Sequence, residues 1–272
     1  MPLVSIITPT RNLTQSRHSL LYKCFAHQSY DNRELLVLDD SASPSAFFSD
    51  LKNDSRVYYF HLRSMTQLGD KRNFLVKAAN GSIIVHFDDD DWYAPTYVAR
   101  MVAHLQQHKA ALVKLSGWFL YSCRINFFGY FDPAETAIFG EVSSAGNGPA
   151  GADLRLKYSL FLDPRDDVVQ TWVMGPSGDY DTSLRQETRL GFGFSYVYRR
   201  KLVTKEGFAF NASKHFGEDL EWVTQVSKAN KRIAHFADRQ GLALHVQGHW
   251  NTARIPTQYR LPDFLLPAVF GP

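Results

Sequence analysis

The sequence has little cysteine and little net charge. Its 272 residues include two cysteines, Cys24 and Cys123, and the formal net charge is +3. Two cysteines in a chain of this length argue against a disulfide scaffold and against a cysteine zinc site, so we expect a reducing, cytoplasmic compartment. Because the charge is small and scattered, no nucleic-acid partner is expected, although phosphate on a small ligand stays compatible.

Long apolar runs are also missing. No stretch approaches the roughly 20 apolar residues that span a bilayer, so we expect no transmembrane segment. The first apolar run, residues 3–10, carries neither the basic leader nor the cleavage site of a signal peptide. Residues 261–270 are rich in leucine, phenylalanine and proline. They could lie against a membrane as a peripheral contact, but we expect them to pack over the core.

Strand and helix patterns alternate through the first 110 residues. Apolar runs typical of strands end at Pro9, Asp39 and Asp88, and helical patterns lie between them. This alternation predicts an α/β fold with a Rossmann-like, doubly wound and mostly parallel sheet. Because ligands bind such sheets at the carboxyl ends of the strands, the polar residues at these ends are candidate site residues.

Four consecutive aspartates, Asp88–Asp91, follow the buried apolar run Ile83–Phe87. Two carboxylates about 4 Å apart repel by roughly 4 kcal/mol near a protein surface. A hard divalent cation bound to a phosphate would remove that repulsion. Capping of the next helix, predicted over Pro95–Gln107, would explain one or two of the carboxylates but not four. An EF-hand is excluded, since Tyr93 stands where its loop requires glycine.

Five segments in order carry a family resemblance. They are VSIITPTRN, ELLVLDDSAS, GDKRNFLVKAANGSIIVHFDDDDW, GFGFSYVYRR and HFGEDLEW. The chain resembles family 2 glycosyltransferases of the GT-A fold from residue 3 to about residue 252, least between 125 and 185. The resemblance implies one GT-A domain, with a nucleotide-sugar-binding half at residues 1–115 and an appended half at residues 116–272 that binds the acceptor and carries the base. It also implies sugar transfer from a nucleotide-sugar, usually a UDP-sugar, with inversion and with Mn²⁺ or Mg²⁺.

The family's metal motif, Asp-X-Asp, corresponds to Asp88, Asp89 and Asp90. In the best register Asp90 ligates the metal, Asp88 contacts the ribose or sugar or joins the metal, and Asp89 lies beside the donor. Four identical residues leave an ambiguity of one position. Many relatives add a late histidine to the metal or diphosphate. His249 is slightly favoured over His245 for this role, although a lone histidine is more often structural.

The resemblance also implies a set of donor-binding residues. Thr8, Pro9, Thr10 and Arg11 form the segment that holds the nucleoside, and hydroxyl and guanidinium groups on a proline-stiffened turn suit base and phosphate contacts. Thr10 by itself could equally cap a turn. Asp39 and Asp40 stand where the family uses an aspartate to accept the imide hydrogen of uracil.

Three further donor-binding candidates, Lys71, Arg72 and Asn73, lie in the first turn of a helix predicted from about Asp70, its expected cap, to Ala79. Cations there oppose the helix dipole. A diphosphate reached by Arg72 or Lys71 would offset that cost. Two solvated side chains on a surface helix are an equally good interpretation.

Glu218 and Asp219 follow Gly217 at the start of another predicted helix. The dipole stabilises acidic residues there by about 0.3–1 kcal/mol, so a structural role is reasonable by itself. The resemblance makes Asp219, within the catalytic pair Glu218 and Asp219, the general base that takes the proton of the acceptor hydroxyl. The glycines of Gly191–Gly193 would allow the backbone to approach donor or acceptor closely, or serve plain packing.

Two other functions stay open. A non-catalytic nucleotide-sugar-binding module would need no base, so the Glu218 and Asp219 pair argues against it. An aspartate-dependent phosphotransferase normally places its nucleophile after the first strand, whereas this cluster follows the fourth. The acceptor could be a saccharide, a lipid-linked glycan, a peptide or a small molecule. The sequence names neither the acceptor nor the sugar.

Overall fold

The computed structural model describes residues 1–131 apart from 13, 52–53, 65 and 125, then 170–172, then 190–248 apart from 215–216, and finally 259–270. The strands are β1 (Val4–Thr10), β2 (Arg33–Asp39), β3 (Val57–His61), β4 (Ile83–His86), β5 (Trp92–Tyr93), β6 (Leu112–Ser122), β7 (Phe127–Phe131), β8 (Gln170–Trp172), β9 (Val197–Arg199), β10 (Ile233–Ala237), β11 (Ala243–Gln247) and β12 (Tyr259–Arg260). The α-helices are α1 (Gln15–Ala26), α2 (Ala46–Asp50), α3 (Leu68–Ala78), α4 (Tyr97–Gln107), α5 (Lys201–Thr204), α6 (Glu218–Lys228) and α7 (Leu265–Phe270). A short 3₁₀ turn covers Gly193–Ser195.

The first half of the sheet is parallel. Strands β4, β1, β2 and β3 are neighbours in that order and run in one direction. Val4 and Ile6 of β1 belong to a core with α1 and α4, whereas Ile7 belongs to a core with α3 and α6. Because side chains alternate along a strand, these cores lie on opposite faces of the sheet. The predicted doubly wound α/β fold is confirmed.

The second half is mixed. Strand β9 lies antiparallel between β4 and β6. The eleven-residue β6 pairs with β9 and β10 in its first part and with β7 and β11 in its second. One long strand therefore joins the parallel strands to the later strands, and it passes the edge where β4 delivers the aspartates.

Most predicted elements lie where the periodicity placed them. The helix predicted from Pro95 is α4, which begins at Tyr97. The apolar pattern of Leu112–Tyr121 predicts a strand, and β6 covers it and continues to Ser122. The cap predicted for α3 is wrong. The amide of Lys71 donates to the carbonyl of Gln67 at 3.1 Å, so the helix starts at Leu68 and Asp70 already lies inside its first turn. The composition of residues 143–151, SSAGNGPAG, predicts a loop, and this segment lies outside the described residues.

Residues 261–270 pack over the second group of strands, as expected. The ring of Phe270 in α7 lies 5.1 Å from that of Trp92 and 5.4 Å from that of Phe119. Phe264 stays 72% exposed. In the part of the chain that the structure describes, no helix has the length and apolar composition needed to cross a bilayer.

Candidate active site

The aspartate run follows β4 at the carboxyl edge of the parallel strands. The amide of Phe87 still donates to the carbonyl of Ile7, and the chain then turns, so Asp88, Asp89 and Asp90 are half-buried at this edge. Asp91 differs from them. Its carboxylate accepts from the Val246 amide at 2.9 Å and contacts Nδ1 of His245 at 2.9 Å. Both oxygens of Asp91 are therefore engaged by β11, and the other three carboxylates lie nearer the open edge.

The crowded carboxylates hold protons more tightly than usual. Burial and the neighbouring Asp91 and Asp90 raise the pKa of Asp88 to about 7, although the positive charge of Arg72 opposes the shift. Burial and Asp90 likewise raise the pKa of Asp89 well above its ordinary range. A divalent cation would stabilise the ionised forms, and carboxylate oxygens are the donors that Mg²⁺ and Mn²⁺ accept. The chemistry of the donor set therefore fits such an ion.

His245 adds a positive charge to this edge. Burial disfavours its protonated form, but Asp91 and then Asp90 outweigh that effect and raise the pKa of His245 to about 9. The imidazole also stacks on Phe194, with centroids 5.0 Å apart. Among the described residues no three His, Cys, Asp or Glu side chains form a ready-made metal cluster. His249 lies outside the described residues.

The end of β1 contributes one hydroxyl and one cation. The Thr10 hydroxyl lies 3.1 Å from Nε2 of His18, and Nε of Arg11 lies 3.9 Å from a carboxylate oxygen of Asp40. Thr8 points into the protein and is fully buried. Pro9 is half-buried between the two threonines. Of this segment, Thr10 therefore contacts His18, and Arg11 contacts the predicted donor-binding residue Asp40.

Asp39 is held rigidly at the end of β2. One carboxylate oxygen accepts from the Ser41 amide at 2.8 Å and from the Ser41 hydroxyl, and the other accepts from the Tyr59 hydroxyl at 2.7 Å. A cleft of about 420 Å³ opens beside this carboxylate and is lined also by Asn12, His18 and Ser45. Its volume suits a planar base, since ligand pockets begin at about 300 Å³.

Lys71 and Arg72 are each only 4% exposed, so they are not solvated side chains of a surface helix. The Lys71 ammonium donates to Asp40 and to the carbonyl of Thr10, the latter at 3.0 Å. The Arg72 guanidinium donates to Glu218. The side-chain amide of Asn73 donates to the Phe210 carbonyl at 2.7 Å and accepts from the Phe210 backbone amide at 2.9 Å. Carboxylates of this chain therefore compensate both cations.

Arg72 lies between the aspartate run and the start of α6. Burial opposes its charge, but the carboxylates of Glu218, Asp88 and Asp219 outweigh burial and raise its pKa. Glu218 is 2% exposed, whereas Asp219 is half-buried. The structure thus brings the aspartate run and the pair Glu218 and Asp219, which are far apart in sequence, to the same buried guanidinium.

Asp219 is oriented by backbone amides. Its Oδ2 accepts from Gly193 N at 2.7 Å and its Oδ1 from Leu220 N at 2.7 Å. A Cβ at Gly193 would lie 2.9 Å from the Cβ of Asp219, closer than real Cβ atoms come. The glycine therefore lets the backbone approach Asp219, which is a more specific role than the approach to a ligand that the sequence suggested.

Two buried polar side chains of this region were missed from the sequence. Nδ1 of His86 lies 2.9 Å from the Gly193 carbonyl and must be the donor there, so Nε2 accepts from the Tyr198 hydroxyl at 3.2 Å. The Lys114 ammonium donates to the Gly191 carbonyl at 2.6 Å. His86 is the one polar residue of β4 and Lys114 the one charged residue of β6, and these interruptions of apolar strands were the available signal.

A mostly parallel α/β sheet with an acidic turn at its carboxyl edge is the architecture of the GT-A glycosyltransferases. Comparison with known proteins gives the same class, because residues 5–123 match the family described as "Glycosyl transferase family 2". EpsH of Bacillus subtilis (strain 168), which its description names as a glycosyltransferase, is 31% identical over 212 residues, 77% of this chain and 50% of that protein. WfaP of Escherichia coli, described as a UDP-Glc:alpha-D-GlcNAc-diphosphoundecaprenol beta-1,3-glucosyltransferase, is 26% identical over 158 residues, 57% of each protein.

Solved structures share the fold. S. aureus TarS 1–349 in complex with UDP-GlcNAc matches with a TM-score of 0.61 and 17% identity, over 93% of this chain and 62% of that one. The mannosyltransferase PcManGT from Pyrobaculum calidifontis, in complex with GDP-Man and Mn²⁺, matches with a TM-score of 0.56 and 16% identity, over 90% and 56%. The chain belongs to glycosyltransferase family 2 and has the GT-A fold. It spans about half the length of the curated relatives that it matches.

Proposed function

We propose that this chain is an inverting glycosyltransferase that moves a sugar from a UDP-sugar to an acceptor hydroxyl. The observation that carries the proposal is the buried contact of Arg72 with Glu218, the neighbour of Asp219, because Asp88 on the donor side and Asp219 on the base side also stabilise the charge of this guanidinium. An acidic strand end and a backbone-oriented carboxylate at one edge of the sheet are the two parts that a single displacement needs.

In this proposal Asp219 is the general base. The acceptor oxygen forms a bond to the anomeric carbon while the bond from that carbon to the diphosphate oxygen breaks, and its electron pair leaves with the nucleoside diphosphate. The acceptor proton passes to Asp219. The Gly193 amide, which donates to Oδ2, fixes the direction of the carboxylate. With one base and one displacement, the configuration at the anomeric carbon inverts. Glu218 stays paired with Arg72 and anchors the start of α6.

Asp90 and Asp88 would hold Mn²⁺ or Mg²⁺, with His249 as a further candidate ligand. When bound, the ion would supply positive charge to the departing diphosphate. The raised pKa of Asp88 supports this assignment, since these carboxylates need a cation to ionise together at neutral pH. The engagement of both Asp91 oxygens by β11 supports the register in which Asp91 is not a ligand.

The donor assignment rests on the cleft beside Asp39. Asp39 and Asp40, with Thr10 and Arg11, would contact the nucleoside, and an acceptor carboxylate there favours a base with an N–H edge. The names of TarS with UDP-GlcNAc and of WfaP with UDP-Glc support uridine, whereas PcManGT with GDP-Man is the competing case. A lipid-linked glycan, which the description of WfaP includes, is one of several acceptors compatible with the open edge.

Thermal-shift measurements with UDP and GDP, each with and without Mn²⁺, test the donor and metal assignments. We expect UDP with Mn²⁺ to raise the melting temperature most, and Asp90→Ala to remove the part of that rise that depends on Mn²⁺. Asp50→Ala, an exposed aspartate at the end of α2, is the matched control and should respond like the unmodified protein. Stabilisation by UDP that is indifferent to a chelator would refute the metal role.

Turnover measurements test the assignment of Asp219 as the general base, and they distinguish an enzyme from a non-catalytic binding module. Asp219→Asn should keep the stabilisation by UDP and Mn²⁺ but lose hydrolysis and transfer of the UDP-sugar that stabilises the protein most. Unchanged turnover in Asp219→Asn would contradict the base assignment. Binding without any turnover in the unmodified protein, across a panel of acceptors, would favour the non-catalytic nucleotide-sugar module.

A further inference from the structure

Lys114 is a lysine in the interior of β6, and its side chain is completely buried. The ammonium donates to the Gly191 carbonyl at 2.6 Å and lies 5.9 Å from the ring centroid of Trp118. Removing an ammonium from water is costly, and an apolar side chain of similar length would fill the same space at no such cost. A lysine at this position therefore calls for an explanation beyond packing.

The Gly191 carbonyl belongs to the backbone segment that contacts Asp219. Two residues further along this segment, the Gly193 amide donates to Oδ2 of Asp219 at 2.7 Å. The Gly193 carbonyl lies 2.9 Å from Nδ1 of His86. The segment is therefore held by Lys114 at its beginning and by His86 at its end, and the amide that orients the carboxylate lies between these two contacts.

Lys114 also interacts electrostatically with the same carboxylate. Burial lowers the pKa of Lys114 to about 7, and the carboxylate of Asp219 opposes this shift.

We propose that Lys114 is a positioning residue for Asp219, which it serves by anchoring the Gly191–Gly193 backbone whose Gly193 amide orients the carboxylate. The contacts themselves do not depend on the function of the chain. Only the consequence for catalysis rests on the proposed role of Asp219 as the general base. In that role the anchored amide keeps the carboxylate directed at the acceptor hydroxyl.

The proposal is tested first on the anchored backbone itself. With ¹⁵N-labelled glycine, hydrogen exchange of the Gly193 amide is followed by NMR. In Lys114→Met we expect this amide to exchange at least about tenfold faster, because the segment has lost its contact at Gly191. Val113→Ala, a buried change in the same strand, and Lys77→Met, an exposed lysine of α3, should leave the exchange rate within about twofold. Equal exchange in Lys114→Met and the unmodified protein would overturn the proposal.

Lys114→Gln tests the anchor itself, because an amide can still donate to the Gly191 carbonyl. Exchange of the Gly193 amide in Lys114→Gln should be slower than in Lys114→Met. If both variants fail to fold, ¹⁵N-labelled lysine reports on the contact in the unmodified protein, where the side-chain protons of Lys114 that donate to Gly191 should exchange slowly. Exchange of these protons as fast as those of the exposed Lys77 would overturn the proposal.

Enzyme assays then distinguish this inference from the function on which it rests. In Lys114→Met turnover should fall at least about tenfold, with UDP affinity in Mn²⁺ within about twofold of the unmodified protein, and Lys114→Gln should keep more of the rate. A turnover in Lys114→Met equal to that in Val113→Ala would refute the positioning role. If Asp219→Asn keeps full turnover, the proposed function fails, yet exchange of the Gly193 amide still decides whether Lys114 holds the segment.

Discussion

Arg72 on α3 and Glu218 at the start of α6 form a buried ion pair between residues 146 positions apart in sequence. Both side chains are at most 4% exposed. The pair connects α3, whose Lys71 contacts Asp40, to α6, which carries the candidate base Asp219. Because both charges are buried, removing one partner leaves the other charge less well compensated in the interior.

Breaking this ion pair from one side should destabilise the protein strongly. Arg72→Met leaves the Glu218 carboxylate buried without its partner, and such changes cost about 3–5 kcal/mol of unfolding free energy. The double variant Arg72→Met with Glu218→Leu should lose less than the sum of the two single variants, since it leaves no uncompensated charge. Urea denaturation measures the free energy of unfolding of the two single variants and the double variant.

The surface pair of Lys214 with Glu221, 2.6 Å apart, is the control for this comparison. Glu221→Gln should leave the urea midpoint close to that of the unmodified protein, because exposed ion pairs contribute little. A midpoint for Arg72→Met as high as that for Glu221→Gln would show that the buried pair does not hold α3 to α6.

The predictable part of this molecule is the part encoded by local patterns. Apolar runs alternating with helical periodicity were sufficient to predict β1, β2 and β4 as parallel strands, because each of these three strands buries side chains on both faces. The same reasoning placed Asp39 and Asp88 at strand ends. Asp219 was placed at a helix start by Gly217, which caps α6 with a φ of +73°.

The partners of the charged residues could not be predicted, because they depend on packing between distant segments. Lys71 and Arg72 are adjacent in sequence, yet they pair with Asp40 and Glu218, which come from different elements. The sequence left two interpretations of these cations equally open, contact with a diphosphate and solvation on a surface helix. Only the contact of α3 with α6 and with the end of β2 buries both side chains, and no pattern within the helix carries that information.

Tyr59→Phe should loosen the candidate nucleotide cleft. The Tyr59 hydroxyl donates to Asp39 and accepts from the Ser45 amide, each at 2.7 Å, so its loss leaves two buried groups without this partner. We expect a cost of about 1–3 kcal/mol in unfolding free energy. UDP affinity should fall several-fold, because Asp39 is no longer held in place. Calorimetry measures the UDP affinity, and urea denaturation measures the free energy of unfolding.

Tyr58→Phe is the matched control for Tyr59→Phe, since Tyr58 is the preceding residue of β3 and is 41% exposed. It should match the unmodified protein in both assays. Equal UDP affinity in the two variants would show that neither Tyr59 nor the orientation of Asp39 contributes to nucleotide binding.

Gly193→Ala should disable the candidate base without touching the donor site. The added Cβ would lie 2.9 Å from the Cβ of Asp219 and 3.1 Å from its Oδ2, so the carboxylate or the segment must move. We expect at least a tenfold loss of turnover, because catalytic groups tolerate little displacement, with UDP affinity unchanged. Gly207→Asn is the control, as nothing lies within 4 Å of its Cβ position and asparagine tolerates its φ of +79°. Full activity in Gly193→Ala would show that the close approach of Gly193 to Asp219 has no role in catalysis.

Lys114 should make the stability of the protein depend on pH in the alkaline range. Burial lowers its pKa to about 7 in the folded protein, whereas an unfolded lysine titrates near 10.5. Between these two values the unfolded chain binds one more proton than the folded chain, so the free energy of unfolding rises with pH. Below pH 7 both states are protonated and the lysine adds no slope. From pH 7 to pH 10 we expect the unmodified protein to gain roughly 3–5 kcal/mol relative to Lys114→Met, which lacks the titrating group. Urea denaturation at intervals of half a pH unit measures both curves, and other titrating groups cancel in the difference. Parallel curves would mean that Lys114 stays protonated in the folded protein across this range, and the burial effect on its pKa would then have to be smaller than the stabilisation by Asp219.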